Sequence, residues 1–170
     1  MLIPYVNEYP EVKDACFIAD SAHVIGEVIA KKDVSIWYNA VLRADNAPIT
    51  LGERTNIQDN VVMHVNEGEP VVIGDDVTVG HSAIVHACTI GNRCLIGMGS
   101  IILDNAIIGD DTLVAAGSVV PPNKTFPPGV LLVGSPARVI RKLKESELEY
   151  IRKNGIHYVD IALKHKKSQK

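Results

Sequence analysis

The sequence predicts an all-β solenoid, a parallel β-helix shaped as a triangular prism, followed by one C-terminal α-helix. The first observation is a row of aliphatic residues that recur every six positions, often with glycine next. Neither an α-helix nor an alternating strand has a six-residue period. With one slip, the row consists of Ile73, Val79, Val85, Ile90, Ile96, Ile102, Ile108, Val114 and Val120.

The second observation is a column of small or β-branched residues two positions before each aliphatic. Side chains alternate along a strand, so residues two apart share a face and both columns point inward. A short fixed repeat indicates stacked units that bury their apolar edges against one another. Three strands then make a coil of about 18 residues, stacked about 4.8 Å from the next. The column is Val71, Val77, Ala83, Cys88, Cys94, Ser100, Ala106, Thr112 and Ser118.

The third observation is an insertion that aligns two histidines. The period extends upstream through Leu51, Ile57 and Met63 and breaks over residues 65–70. From Met63 to Ile73 is ten residues, six of the repeat plus four, so we expect a small loop at one corner. His64 and His86, 22 residues apart, then lie one coil apart and point outward from one face. Two such imidazoles can bind one ion.

His81 lies two residues past Val79, near a different corner of the prism. Outward directions from two faces diverge, so the simplest three-histidine site takes His81 from a second copy of the chain. This arrangement predicts a metal site at the interface of a closed cyclic oligomer, and a threefold trimer would hold three sites. A His81 bent around its own corner would need no partner.

Length, charge and cysteines limit the function classes. We expect the 170 residues to form one domain, 1–170, with β-helix coils over about 12–133. A net charge of −3 does not provide the overall positive charge that is typical of nucleic-acid-binding proteins. No apolar run predicts a membrane span, and the amino terminus lacks the features of a secretory signal. Three cysteines, expected to be buried thiols without a disulfide framework, agree with a cytoplasmic location.

After Val120 the period is expected to end in a proline-rich exit, after which residues 130–137 return the chain. A helix is predicted over about 145–166, with Ser146 as its N-cap and Glu149 three residues later. We expect it to lie along the prism. Aspartates favour corners, so four of them are expected to bond to corner backbone groups: Asp75, Asp76, Asp110 and Asp111.

The runs Asn56–His64 and Gly80–His86, with Arg43-Ala44-Asp45, resemble the γ-class carbonic anhydrases and their bacterial relatives over nearly the whole chain. Hexapeptide acyltransferases share the six-residue period, which is therefore weakly specific. Three histidines with a five-residue gap between the last two, joined to Arg-x-Asp and Asn-x-Gln-Asp, are far more specific. The resemblance implies a left-handed β-helix and a homotrimer with a metal at each interface.

The resemblance also implies roles for individual residues. His64 and His86 correspond to ligands from one subunit and His81 to the ligand from the next. Gln58 corresponds to the residue that orients water or hydroxide on the metal. Arg43 and Asp45 correspond to an interface ion pair, and Asp59 and Asn56 correspond to the polar shell beside it. Tyr158 corresponds to a helix tyrosine near bicarbonate.

The implied reaction is reversible hydration of carbon dioxide to bicarbonate by a metal-dependent lyase. Three neutral imidazoles leave one coordination position open, and a divalent ion there lowers the pKa of bound water to about 7. The resulting hydroxide attacks carbon dioxide at ordinary pH. Zn²⁺ is the expected ion, with Fe²⁺ or Co²⁺ as alternatives because imidazole suits all three.

The proton route departs from the family's most active pattern. Asn46 stands where a glutamate follows Arg-x-Asp, and an uncharged side chain cannot relay a proton as a carboxylate does. The acidic loop is short, with Glu67 at the offset of the shuttle glutamate. Two alternatives stay open. The period and the segment Gly134–Ala137 fit a coenzyme A ester acyltransferase or thioesterase, and the missing glutamate fits a catalytically weak metal-binding trimer.

Overall fold

The computed structural model describes residues 1–168, a β-solenoid followed by one helix, α1 (Glu145–Ser168). Residues 169 and 170, the end of the predicted domain, lie outside the described residues. Most strands are short. In chain order they are β1 (Leu2–Ile3), β2 (Phe17–Ile18), β3 (His23–Ala30), β4 (Ser35–Ile36), β5 (Val41–Leu51), β6 (Asn56–Ile57), β7 (Val62–His64), β8 (Val71–Ile73), β9 (Thr78–Val79), β10 (Ile84–His86), β11 (Thr89–Ile90), β12 (Leu95–Ile96), β13 (Ile101–Ile102), β14 (Ile107–Ile108), β15 (Leu113–Val114), β16 (Val119–Val120), β17 (Thr125–Phe126), β18 (Val130–Gly134) and β19 (Ala137–Lys142).

The strands form two sheets that enclose one core. The 11-stranded sheet has two arms that meet at β5, with β7, β10, β13 and β16 in one arm and β8, β11, β14 and β17 in the other. The remaining two strands stack on the other side of β5, which pairs with β3, and β3 pairs with β1. The eight-stranded sheet runs β2, β4, β6, β9, β12, β15, β18 and β19, and its last pair, β18 with β19, is antiparallel. Three rows of parallel strands are the three faces of the predicted prism, so the predicted fold class is confirmed.

The core consists of the aliphatic columns that the six-residue period predicts. Met63 pairs with Val85 and Val85 with Ile102, and all three are fully buried. The expectation that the period ends at Val120 is wrong, because Phe126 pairs with Ile108 in the same column. The prolines after Val120 lie in corners between strands, where no ladder hydrogen bond requires their missing N–H.

The small inward column is buried throughout, and its polar members are satisfied. The Ser100 hydroxyl, for example, donates to the Gly97 carbonyl at 2.8 Å. Burial raises the pKa of the Cys88 and Cys94 thiols to about 12. These cysteines, like Cys16, are buried free thiols, as predicted.

The corners are joined by carboxylates that bridge neighbouring coils. Asp75 and Asp110 each accept a backbone N–H from the preceding coil at 2.8 Å, as predicted. Asp76 and Asp111 bind arginines instead of backbone groups. Arg93 donates two bonds of 2.8 Å to Asp111 and thereby lowers the pKa of that carboxyl.

The start of α1 is set by the hairpin before it. The backbone N–H of Lys144 donates to Glu147 at 2.8 Å, and Arg141 on β19 binds the same carboxylate. Lys144 is thus the capping residue, and the predicted cap of Ser146 with Glu149 is wrong, since Ser146 lies inside the helix. Because Arg141 also binds Glu147, the side chain that folds back onto the helix N-terminus is that of Glu147.

α1 packs along the eight-stranded sheet, where Ile151, Gly155 and Ala162 are buried. His165 anchors its far end: its Nδ1 lies 3.1 Å from the Tyr38 hydroxyl, and its ring lies 5.0 Å from that of Trp37. Within residues 1–168, no helix is both long enough and apolar enough to cross a membrane.

We expect Gly155→Ala to raise the free energy of unfolding by about 0.5–1 kcal/mol, because alanine favours helix more than glycine does. A Cβ at this position would meet Asp76 at 3.4 Å, an ordinary contact. Urea unfolding at fixed protein concentration measures the change. As a matched control, Gly117→Ala should lower stability, because Gly117 holds a φ of +67° in a corner. A loss of stability in Gly155→Ala would contradict this packing.

The Arg93–Asp111 pair predicts a pH dependence of stability. Because the pKa of Asp111 is lowered in the folded state, its contribution is complete above the unfolded pKa of about 3.9 and is lost as pH falls below that value. The free energy of unfolding should therefore decrease on acidification below about pH 5, and less steeply in Asp111→Asn. Identical slopes in the two proteins, measured by urea unfolding across this range, would refute this attribution.

Candidate metal centre

His64 and His86 stand side by side at the ends of β7 and β10, which pair in register. Nδ1 of His64 lies 3.0 Å from Nε2 of His86. The four inserted residues form the predicted loop, closed by a bridge between Asn66 and Glu69. The coil arithmetic from the sequence therefore places these two imidazoles correctly.

Each of these rings holds a carboxylate on its other nitrogen. Asp45 lies 3.0 Å from Nε2 of His64, and Asp104 lies 2.5 Å from Nδ1 of His86. An ionised carboxylate only accepts hydrogen bonds, so a neutral imidazole turns its single N–H toward the carboxylate. The two nitrogens left then face each other with lone pairs 3.0 Å apart. Either a proton shared between the two rings or a metal ion that takes both lone pairs satisfies this contact, and the donor set therefore fits a metal ion.

Asp45 is held ionised by its neighbours. Burial raises the pKa of this carboxyl, but hydrogen bonds from His64 and Arg43 outweigh that effect and hold the pKa below its usual range. Arg43 pairs with Asp45 within one chain and is itself 46% exposed. The pair predicted from the sequence is present, and its place at an interface stays a prediction.

His81 belongs to a different sheet from the other two histidines. It follows β9 in a corner, with Nδ1 2.8 Å from Asp59 and its backbone N–H donated to Gln58 at 3.2 Å. Its Nε2 is thus the nitrogen turned away from the carboxylate. Across residues 1–168, no group of three or more histidine, cysteine, aspartate or glutamate side chains is arranged within the chain to hold a metal.

A buried polar network beside His81 joins the sheet to α1. Gln58 donates to Asn56 at 3.1 Å, and Asn56 donates to the hydroxyl of Thr78 at 2.9 Å. From the helix, Asn154 donates to the same hydroxyl at 2.9 Å, and Tyr158 shares a hydrogen bond with Gln58. Sequence reasoning missed Thr78 and Asn154. Thr78 follows Asn56 by 22 residues, the spacing that identified the histidine pair.

Tyr158 is held neutral in this network. Burial raises the pKa of its hydroxyl, and the negative charge of Asp59 raises it further, outweighing the hydrogen bond with Gln58 that lowers it. A cavity of about 380 Å³ opens between the helix and the sheet at this point. Gln58, His81 and Tyr158 supply polar groups to it, and the rest of its wall is largely apolar, including Leu95, Met98, Leu113, Ala115 and Ala116.

On the His86 side, the inserted loop carries two glutamates in different surroundings. Glu67 is exposed in the turn. Glu69 instead accepts bonds from Asn66 at 2.8 Å and from Asn105 at 2.7 Å. Asp104 was missed by sequence reasoning, although it follows His86 by 18 residues, about one coil.

A parallel β-helix with carboxylate-bound histidines defines a hexapeptide-repeat protein with a candidate metal centre. Residues 87–122 match the family described as bacterial transferase hexapeptide (six repeats). The chain is 42% identical over 145 residues to the "Probable carbonic anhydrase" of Methanocaldococcus jannaschii, covering 85% of this chain and 91% of that protein. The chain therefore belongs to the γ-carbonic anhydrase-like family of hexapeptide-repeat proteins.

Two further relatives match a smaller share of their own length. Identity is 42% over 75 residues with the carbonic anhydrase of Geobacillus kaustophilus, covering 44% of this chain and 41% of that protein. Identity is 41% over 170 residues with the mitochondrial γ carbonic anhydrase 2 of Arabidopsis thaliana, covering 96% of this chain and 61% of that protein.

Similar solved structures are described as transferases and not as carbonic anhydrases. A hexapeptide transferase family protein from Anaplasma phagocytophilum superposes with a TM-score of 0.91 at 43% identity, covering 95% of this chain and 96% of that one. A Bacillus cereus protein described as a proposed acetyltransferase gives 0.95 at 40% identity, with coverage of 98% and 97%. An N-acyltransferase from the same organism, at 20% identity and a TM-score of 0.68, shares the fold alone.

We expect Thr78→Val to loosen α1, because the substitution leaves the amides of Asn56 and Asn154 without their shared acceptor. Unsatisfied buried donors cost about 1–3 kcal/mol. Thermal unfolding and proteolysis within the helix should both show the change. Thr89→Val, at an exposed outward position of β11, is the matched control and should be nearly neutral. Equal effects of the two variants would refute the role of the Thr78 hydroxyl.

Proposed function

We propose that this protein is a metal-dependent lyase that reversibly hydrates carbon dioxide to bicarbonate, as a γ-class carbonic anhydrase. The observation that carries the proposal is the pair of imidazole nitrogens 3.0 Å apart, each on a ring whose other nitrogen meets a carboxylate. A carboxylate on the second ring nitrogen is the usual partner of a metal-binding histidine, and both rings have one, which supports a bound metal. The relatives named as carbonic anhydrases support the reaction.

The complete site is proposed to form between subunits of a homotrimer. His64 and His86 of one chain would supply two ligands, and Nε2 of His81 from the next chain would supply the third. Val62 and Ile84, next to the histidine pair on the outward face, are each 41% exposed. A second copy would bury this apolar column, and the exposed Arg43 guanidinium lies on the same strand arm.

Zn²⁺ is the proposed ion, with Fe²⁺ and Co²⁺ as alternatives for an all-imidazole site. When bound, such an ion supplies Lewis-acid activation of water, so that a hydroxide nucleophile forms near neutral pH. The chain's own groups orient the reactants. Gln58 is fixed at both ends of its amide, and the neutral Tyr158 hydroxyl is available as a donor to bicarbonate.

Proton release is proposed to proceed through Glu67, which is exposed on the inserted loop. Asn46 lies with its amide 3.4 Å from Asp45 and can only donate to that carboxylate. The short loop and the uncharged Asn46 together favour slow turnover relative to metal binding. The buried free thiols support the proposed cytoplasmic location.

A second candidate is an acyl transfer or thioester hydrolysis reaction on coenzyme A esters. The cavity of about 380 Å³ beside His81 favours it, since carbon dioxide needs only a small part of that volume. The solved relatives described as transferases point the same way. Stopped-flow hydration and an acyl-CoA assay on the same metal-loaded sample distinguish the two reactions.

We expect His81→Ala to abolish metal retention, although each chain keeps two of the proposed ligands. Mass spectrometry for bound metal and stopped-flow hydration with and without chelator measure the result. His157→Ala, an exposed helix histidine, is the control and should retain metal.

Mixing two defective variants tests the shared site directly. If His81→Ala and His86→Ala chains are unfolded and reassembled together, random assembly into trimers should restore about a quarter of the sites. Metal retention by His81→Ala alone, or no recovery in the mixed sample, would contradict a site shared between chains. Stoichiometric metal without hydration would favour the catalytically weak metal-binding trimer.

A further inference from the structure

Asp104 belongs to none of the three motifs that carry the family resemblance, yet it makes the 2.5 Å contact with Nδ1 of His86. It follows β13, which pairs with β10 and so passes directly beside His86. The carboxylate has only acceptor atoms, so a neutral His86 must carry its proton on Nδ1 and expose its lone pair on Nε2. Nε2 is the atom that faces Nδ1 of His64.

The corner that carries Asp104 is fixed from two directions. The next residue, Asn105, adopts a φ of +57° and donates its backbone N–H to the Ala87 carbonyl at 2.7 Å. Its side chain donates to Glu69 at 2.7 Å. Glu69 belongs to the loop inserted after His64, so that loop ties the His64 coil to the corner beneath His86.

We infer that Asp104 is a positioning residue that sets the tautomer and orientation of His86, and that the Glu69–Asn105 contact holds the Asp104 corner in place. Asp104 acts through His86 and does not itself touch the reacting atoms. A carboxylate on a ligating histidine typically changes metal affinity by about 10–100-fold. The consequence for metal binding rests on the proposed function, whereas the tautomer of His86 does not.

The first experiment reads the tautomer in protein stripped of metal by a chelator. At about pH 9, where imidazole is neutral, ¹⁵N NMR should show the His86 proton on Nδ1 in the wild type. In Asp104→Ala the proton should move to Nε2 or divide between the two nitrogens. Asp104→Asn keeps an acceptor oxygen and should retain the wild-type tautomer. An unchanged tautomer in Asp104→Ala overturns the inference, whether or not the wild type binds metal.

The second experiment measures affinity for Zn²⁺ and Co²⁺ by competition with a chelator. Asp104→Ala should bind about 10–100-fold more weakly than the wild type, and Asp104→Asn should lie between them. Glu69→Gln removes a nearby negative charge but keeps an amide oxygen that can accept from Asn105, so it should change affinity by less than Asp104→Asn does. Equal losses in Glu69→Gln and Asp104→Ala would show a general field effect and overturn the positioning role. Absence of metal binding in the wild type would overturn the proposed function alone.

Discussion

The arrangement depends on one constraint, the parallel stacking of coils in register. Backbone hydrogen bonds between neighbouring coils fix every side chain relative to the one above it, as in the pairing of His64 with His86. The three aliphatic columns fill the prism and leave no freedom for one coil to slide, since a slip of one residue would turn the core outward. Site geometry is therefore a direct product of core packing.

Insertions in this regular scaffold provide polar side chains for the site. The four-residue loop after His64 keeps the histidine column in register and also places Glu69 against Asn105, two coils along the prism. A smaller irregularity lies in β5, where Gly26 pairs with Ala44 but Val28 pairs with Ile49. This bulge follows Arg43 and includes Asp45, so the carboxylate that binds His64 stands at a break in the repeat. Regular coils supply rigidity, and their interruptions supply the polar groups.

The helix contributes to the site through the one sheet that it covers. Gly155 packs against the corner at Asp76, and the ring of His165 packs among aromatic side chains at the far end. Between these two anchors, Asn154 and Tyr158 reach the network around Gln58. The position of α1 along the sheet thus decides which polar groups lie beside His81.

The sequence by itself determined the solenoid, its inward columns and the alignment of His64 with His86, because a fixed repeat converts residue spacing directly into position. The sequence predicted the wrong helix cap, because residue spacing carries no information there. The capping by Lys144 and Glu147 depends on a contact with Arg141, which lies on another strand. Only the tertiary structure decided which carboxylate meets each imidazole. Asp104 approaches His86 across a coil boundary, and a contact of 2.5 Å depends on corner conformation that no period specifies.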